Sequence, residues 1–134
     1  MGEKAKELME QIRKDRPTYT PQTFLSRQMI AEYDPEYLQL FHRMHMHVVH
    51  ENAHLPAKFK EIIISAVDAA TGYERGLRTH LASALESGAT KEEIFEGLEA
   101  ASLPAGIHVL SIALPILKEV LDQWEAKRAK TGRE

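Results

Sequence analysis

The chain of 134 residues contains no cysteine, so disulfide bonds are excluded, and so is dithiol chemistry with a cysteine thiolate as the nucleophile. Long apolar runs are also missing: no segment approaches the roughly 20 apolar residues that a membrane-spanning helix needs. The opening residues, MGEKAKELME, lack the apolar core of a signal peptide. We therefore expect a cytoplasmic protein without a membrane partner.

Charge of either sign is not in large excess. Lysine and arginine number 17 against 20 aspartate and glutamate, which gives a formal net charge of −3. This balance indicates neither a nucleic-acid-binding face nor a patch for anionic membranes. At this length one domain can bury a hydrophobic core without disulfides or a structural metal.

The sequence contains no strand-like alternation and no detectable repeat, whereas helical spacing is clear between residues 59 and 85. The apolar stripe comprises Phe59, Ile62, Ile63, Ala66, Val67 and Ala70, then Leu77, Leu81, Ala84 and Leu85. Because Gly72 interrupts this stripe, the two helices should fold back as a hairpin. The pattern predicts an all-α fold of six to seven helices built round this central hairpin.

The segments that flank the hairpin complete a single domain over residues 1–134. Residues 1–33 are expected to form an N-terminal helical arm, and residues 35–124 form the core. Asp34 and Pro35 supply a capping acid and a proline at the first helical position. The last helix is apolar on more than one face, which predicts burial against a second subunit. Residues 125–134 are charged and are expected to form a frayed tail.

Glu61 and His80 are the first candidates for a functional pair. Glu61 precedes the turn by about eleven residues and His80 follows it by about eight, so their heights along the hairpin differ by about 5 Å. A carboxylate beside an imidazole on an apolar face can perform proton transfer. The alternative is structural: Glu61 is a solvated charge, Glu74 and Arg78 form an ordinary helical pair, and His80 is a hydrogen-bonded core residue.

A histidine-rich helix is the second candidate. His47, His50 and His54 lie at positions i, i+3 and i+7, and Glu51 follows four residues after His47. Imidazole and carboxylate at this spacing could bind a metal ion. The alternative is that these histidines line a polar helix face, an oligomer interface or the entrance of the active cleft, and no metal is then bound.

The hairpin also carries a resemblance to a known family. The segment GYERGLRTH at residues 72–80, followed by GATKEEI at 88–94 and PAG at 104–106, resembles the carboxymuconolactone decarboxylase family. The resemblance covers roughly residues 35–121. The resemblance implies the all-helical fold that this family shares with the alkylhydroperoxidase AhpD. It also implies that the subunits assemble into trimers or hexamers.

The peroxidase branch of these relatives has a glutamate, eleven residues, and then Cys-x-x-Cys-x-x-x-His. Glu61 and His80 match the outer positions, but Tyr73 and Gly76 stand where the cysteines would be. An inherited label of peroxiredoxin activity is therefore not supported by these residues. The segment before Pro56 also lacks the tryptophan of true lactone decarboxylases, so a different substrate remains open.

The resemblance implies a cofactor-free decarboxylation of a small anionic lactone or related acid. In this hypothesis His80 donates the proton, Glu74 or Glu61 orients its ring, and Arg78 or Arg75 binds carboxylate groups. Tyr73 and His108 are further candidates for substrate binding. Two other functions remain open: a non-catalytic helical oligomer that binds a small ligand, and a histidine-rich metal-binding protein.

Overall fold

The computed structural model describes residues 1–132, and within them the chain is helical without any β-strand. The predicted all-α fold is confirmed. A single π-helical segment, in which the helix widens, follows the third α-helix. The elements are α1 Glu3–Asp15, α2 Pro21–Tyr33, α3 Pro35–Met46, the π-helix His47–Glu51, α4 Ala57–Thr71, α5 Glu74–Glu86, α6 Lys91–Ala105 and α7 His108–Lys130.

The described chain falls into two compact units, the first covering Met1–His54 and the second beginning at Leu55. The first unit contains α1 to α3 and the π-helix. Ile12 of α1, Ala31 of α2 and Leu38 of α3 are almost completely buried in its core. Asp34 caps α3 as predicted, because its Oδ1 accepts a hydrogen bond from the backbone nitrogen of Tyr37 at 3.0 Å.

The second unit contains α4 to α7 around the main hydrophobic core. Leu77 and Leu81 of α5, Leu98 of α6 and Val109 of α7 are fully buried there. Thr90 and Glu93 form a capping box at the start of α6, with 3.0 Å between each side-chain oxygen and the other residue's backbone nitrogen. A threonine followed three residues later by a glutamate is the sequence signature of such a box.

The turn between α4 and α5 is the predicted hairpin. Gly72 ends α4 in the left-handed conformation, with φ 76° and ψ 20°, and its amide donates to the carbonyl of Ala69. Glycine adopts this conformation without the steric cost that a Cβ imposes. The turn brings α5 back along α4, and this positions the side chains of the candidate site.

Substitution of Gly72 by alanine is expected to lower the free energy of unfolding by about 1 to 2 kcal/mol, because an alanine in the left-handed region carries that strain. Urea denaturation monitored by circular dichroism would measure the loss. Gly72→Asn is the matched control, since asparagine tolerates this conformation and should recover most of the stability. Equal stability of the alanine and glycine chains would contradict the prediction.

The last helix extends further than the sequence indicated. Residues 125–130, expected in a frayed tail, are helical in the structure. Lys127 forms an ion pair with Glu86 at 3.1 Å, and the guanidinium of Arg128 lies over the ring of Trp124. Basic residues in a last turn also interact favourably with the helix dipole. The end of the expected tail, residues 133–134, lies outside the described residues.

None of the helices among residues 1–132 has both the length and the apolar character needed to cross a membrane.

Candidate functional site

The buried side of α4 carries a carboxylate. Glu61 is only 1% exposed and lies among apolar neighbours of the same helix face, such as Ile62 and Ala69. Its Oε2 is 2.7 Å from Nδ1 of His80 on α5. The side chain of His80 is 15% exposed, so the pair is largely removed from water. The predicted proximity of Glu61 and His80 is therefore confirmed, while their catalytic role remains a prediction.

The hydrogen bond between these two side chains has a chemical consequence. A carboxylate on Nδ1 favours the ring form with a proton on that nitrogen, and it stabilises the imidazolium when the ring gains a second proton. In a ring held in this way, Nε2 is the nitrogen at which a proton would be exchanged. This is the arrangement by which enzymes orient a histidine that acts as an acid or a base.

A second acid, Asp68, was missed by the sequence analysis. It lies seven residues after Glu61, about two turns along the same face of α4. Its Oδ2 is buried and has no hydrogen-bond partner among residues 1–132. Burial raises the pKa of the Asp68 carboxyl; the charge of His80 opposes this shift, and the charge of Glu61 adds to it. The sequence did hold a signal for Asp68, because a polar residue seven positions after Glu61 lies on the same apolar helix face.

Tyr73 and Gly76 pack directly beside Asp68. A Cβ built at Gly76 would lie 2.5 Å from Cδ2 of Tyr73 and 2.7 Å from Oδ2 of Asp68, closer than side-chain atoms normally approach. The missing side chain of Gly76 therefore provides the space for both groups. Tyr73 remains half exposed.

The other charged candidates on α5 face elsewhere. Arg78 forms an ion pair with Glu119 of α7. At 3.6 residues per turn, Arg78 lies about 200° around the helix from His80, and Glu74 lies about 120° from it. Glu74 and Arg75 are exposed in the first turn of α5. Their roles in orienting His80 or binding carboxylates stay predictions.

His108 begins α7 and is exposed, with Nε2 at 3.5 Å from the carbonyl oxygen of Ala70. Its ring thus lies near the end of α4, two residues beyond Asp68. The expectation that it shares a cavity with His80 stays a prediction. A groove of about 830 Å³ elsewhere in this unit is lined by residues that include Trp124 and Arg128, and its lining does not contain Glu61, Asp68 or His80.

Comparison with known proteins agrees with the motif and the helical hairpin. Residues 35–119 match the model of the carboxymuconolactone decarboxylase family. The chain belongs to this family. A crystal structure of a candidate carboxymuconolactone decarboxylase from Burkholderia xenovorans LB400 has a similar fold, with a TM-score of 0.78 and 20% sequence identity. The alignment covers 95% of this chain and 98% of that chain. No curated protein matches the chain significantly.

Within the carboxymuconolactone decarboxylase family, this chain lacks the redox pair of the peroxidase branch. Tyr73 and Gly76 occupy the two cysteine positions, and the ring of Tyr73 stands over the backbone of Gly76. No thiol is present to attack a peroxide, so the dithiol mechanism is excluded. The carboxylate and the imidazole of the motif remain, and they are hydrogen-bonded to each other.

Three histidines of the first unit each contact a different side chain. His42 lies 2.8 Å from Asp15, His47 lies 2.8 Å from Glu51, and His45 contacts Arg16. In the part of the chain that the structure describes, no three histidine or acidic side chains converge on a point that could hold a metal ion. Around His47, His50 and His54 the described residues thus bring no such group together, and a metal-binding role for these histidines stays a prediction.

Proposed function

We propose that this member of the carboxymuconolactone decarboxylase family is a cofactor-free carboxy-lyase with His80 as its proton donor. The observation that carries the proposal is the buried hydrogen bond between Nδ1 of His80 and Glu61. Burying the charge of Glu61 is costly unless it is paired, and its partner His80 keeps 15% of its side chain exposed.

The reaction proposed is the decarboxylation of a small unsaturated lactone that carries a carboxylate. The bond between the ring and the carboxylate breaks, carbon dioxide leaves, and the electron pair moves through the ring to the lactone carbonyl. The resulting enolate then takes one proton at carbon from Nε2 of His80. His80 regains its proton from water, so each turnover consumes one proton. Since the lactone carbonyl itself accepts the electron pair, the chemistry requires no metal or organic cofactor.

Glu61 acts through His80 in this scheme. Its carboxylate holds the ring by Nδ1 and stabilises the positive charge of the imidazolium before proton transfer. The same imidazolium attracts the anionic substrate. Arg75 and Arg78, predicted as carboxylate anchors, lie on other faces of α5, so the proposal does not depend on them.

The direct test is turnover of γ-carboxymuconolactone by the full chain after dialysis against a chelator. We expect one equivalent of carbon dioxide per substrate, at a rate that the chelator does not change. Binding of the lactone without release would favour the non-catalytic ligand-binding function. No release at saturating substrate would overturn the proposed activity and leave only the family membership.

A further inference from the structure

We propose that Asp68 is a further binding residue of this site and donates a hydrogen bond to the oxygen of an anionic lactone enolate. The inference rests on the proposed function, since that enolate is the intermediate of the proposed reaction. In this proposal Asp68 is a second group that carries a proton. It donates a hydrogen bond to the enolate oxygen while His80 delivers a proton to the enolate carbon.

The position of Asp68 supports this role. Ser65 lies between Glu61 and Asp68 on the buried face of α4, and its Oγ donates to the carbonyl of Glu61 at 2.8 Å. On the facing helix, Gly76 precedes His80 by about one turn. Oδ2 of Asp68 lies against Gly76, where a Cβ would approach it to 2.7 Å. The carboxyl of Asp68 is therefore about one helical turn from the ring of His80 along α5.

The hydrogen-bonding state of Oδ2 in the half-buried side chain of Asp68 is unusual for a buried oxygen. Oδ2 has no partner within residues 1–132, although roughly 90% or more of buried polar groups in proteins are hydrogen-bonded. A hydrogen bond to a ligand would satisfy this oxygen. If Asp68 had only a structural role, burial of Oδ2 would cost free energy and no hydrogen bond would offset that cost.

The surroundings of Asp68 raise the pKa of its carboxyl and so shift it toward the protonated form, which can donate a hydrogen bond. Burial raises the pKa of Asp68, while His80 of α5 lowers it and Glu61 of α4 raises it. On α7 the titratable group at this end of α4 is His108, whose ring lies against Ala70. The ring of Tyr73 lies beside the same glycine as this carboxyl.

A donor at this place would act on the charge that develops in the reaction. Negative charge moves to the lactone carbonyl oxygen as carbon dioxide leaves, and a hydrogen bond to that oxygen is stronger in the enolate than in the lactone. Asp68 keeps its proton throughout the cycle. Gly76 makes this position of Asp68 possible, because any side chain at residue 76 would displace the carboxyl of Asp68 or the ring of Tyr73.

The test uses tetronate, a stable enolate of a five-membered lactone that undergoes no decarboxylation. Its affinity for the full-length chain would be measured by isothermal titration calorimetry. Asp68→Ala should weaken binding at least tenfold, whereas Asp68→Asn, whose amide also donates, should stay within about threefold of the parent chain. If the alanine chain does not fold, Asp68→Leu supplies an apolar variant of similar volume.

Each other result would overturn the inference. Equal affinity of the parent and the apolar variant would mean that Asp68 does not contact the ligand. Tighter binding by both the asparagine and the apolar variant would mean that Asp68 is ionised and repels the anion. Equal weakening in both variants, or no tetronate binding by the parent chain, would also reject the donor role. Because tetronate is not turned over, these results are independent of carbon dioxide release, which tests the proposed function separately.

Discussion

Replacement of His80 by glutamine is expected to lower the rate of carbon dioxide release from γ-carboxymuconolactone by about a thousandfold, while the fold is retained. A glutamine amide can still donate a hydrogen bond to Glu61, but it cannot deliver a proton to carbon. Removal of a positioned general acid typically costs a factor of about 10² to 10⁴. The measurement is kcat under saturating substrate, with circular dichroism as the check on folding.

His47→Gln is the matched control for this substitution. The side chain of His47 is 60% exposed and pairs with Glu51 in the first unit of the chain. The same chemical change there should leave kcat within about twofold of the parent, since exposed side chains away from a site contribute little. Turnover by the His80→Gln chain at the parental rate would remove His80 from the proposed mechanism.

The hydrogen-bonded pair of Glu61 and His80 is expected to show strong energetic coupling in the folded protein. His80→Ala should reduce the free energy of unfolding by about 3 kcal/mol, because it removes the hydrogen bond of the imidazole to a carboxylate that is 1% exposed. Glu61→Gln introduced into the same chain should recover part of this loss, since a neutral amide is less costly to bury. The expected coupling energy is about 1 to 3 kcal/mol.

A double-mutant cycle in urea would measure this coupling from the parent chain, His80→Ala, Glu61→Gln and the double variant. Lys118 and Asp122 offer the control pair, with side chains 77% and 65% exposed on α7. An exposed helical pair of this kind should couple by only about 0.3 to 0.5 kcal/mol. Additive effects of the Glu61 and His80 substitutions would contradict the prediction and would indicate that the pair adds no stability.

The local features of this fold were predictable because their causes lie within a few residues. The cap of Asp34 on Tyr37 and the box of Thr90 with Glu93 each span three residues. Gly72 likewise ends α4 through its own backbone conformation. Interactions of this range depend on residue types and spacing, which the sequence states directly.

The pair of Glu61 and His80 was predictable for a related reason. Once a hairpin turns at Gly72, the rise of 1.5 Å per residue sets the height of each side chain along the two helices. The observed hydrogen bond of 2.7 Å follows from that register. Spacing alone left open whether the pair was solvated, because burial depends on what α6 and α7 cover.

Asp68 and Arg78 show where this reasoning fails. The ion pair of Arg78 with Glu119 joins residues 41 positions apart, and no local spacing distinguishes this partner from Glu74. The state of Asp68 depends on the backbone of Gly76 and the ring of Tyr73, which meet it only after the hairpin closes. Sequence patterns therefore predicted the pair of Glu61 and His80, whereas only the packing revealed Asp68 beside it.

By itself the sequence determined the helical class, the hairpin turn, the caps, the family motif and the absence of thiol chemistry. Each of these depends on residue identity at short range or on a residue type that is missing. Only the tertiary structure decided which charges of α4 and α5 are buried together, that Arg78 faces α7, and that Oδ2 of Asp68 is buried without a partner. These properties depend on which side chains meet when the helices pack, and burial and long-range ion pairing are properties of the packed molecule.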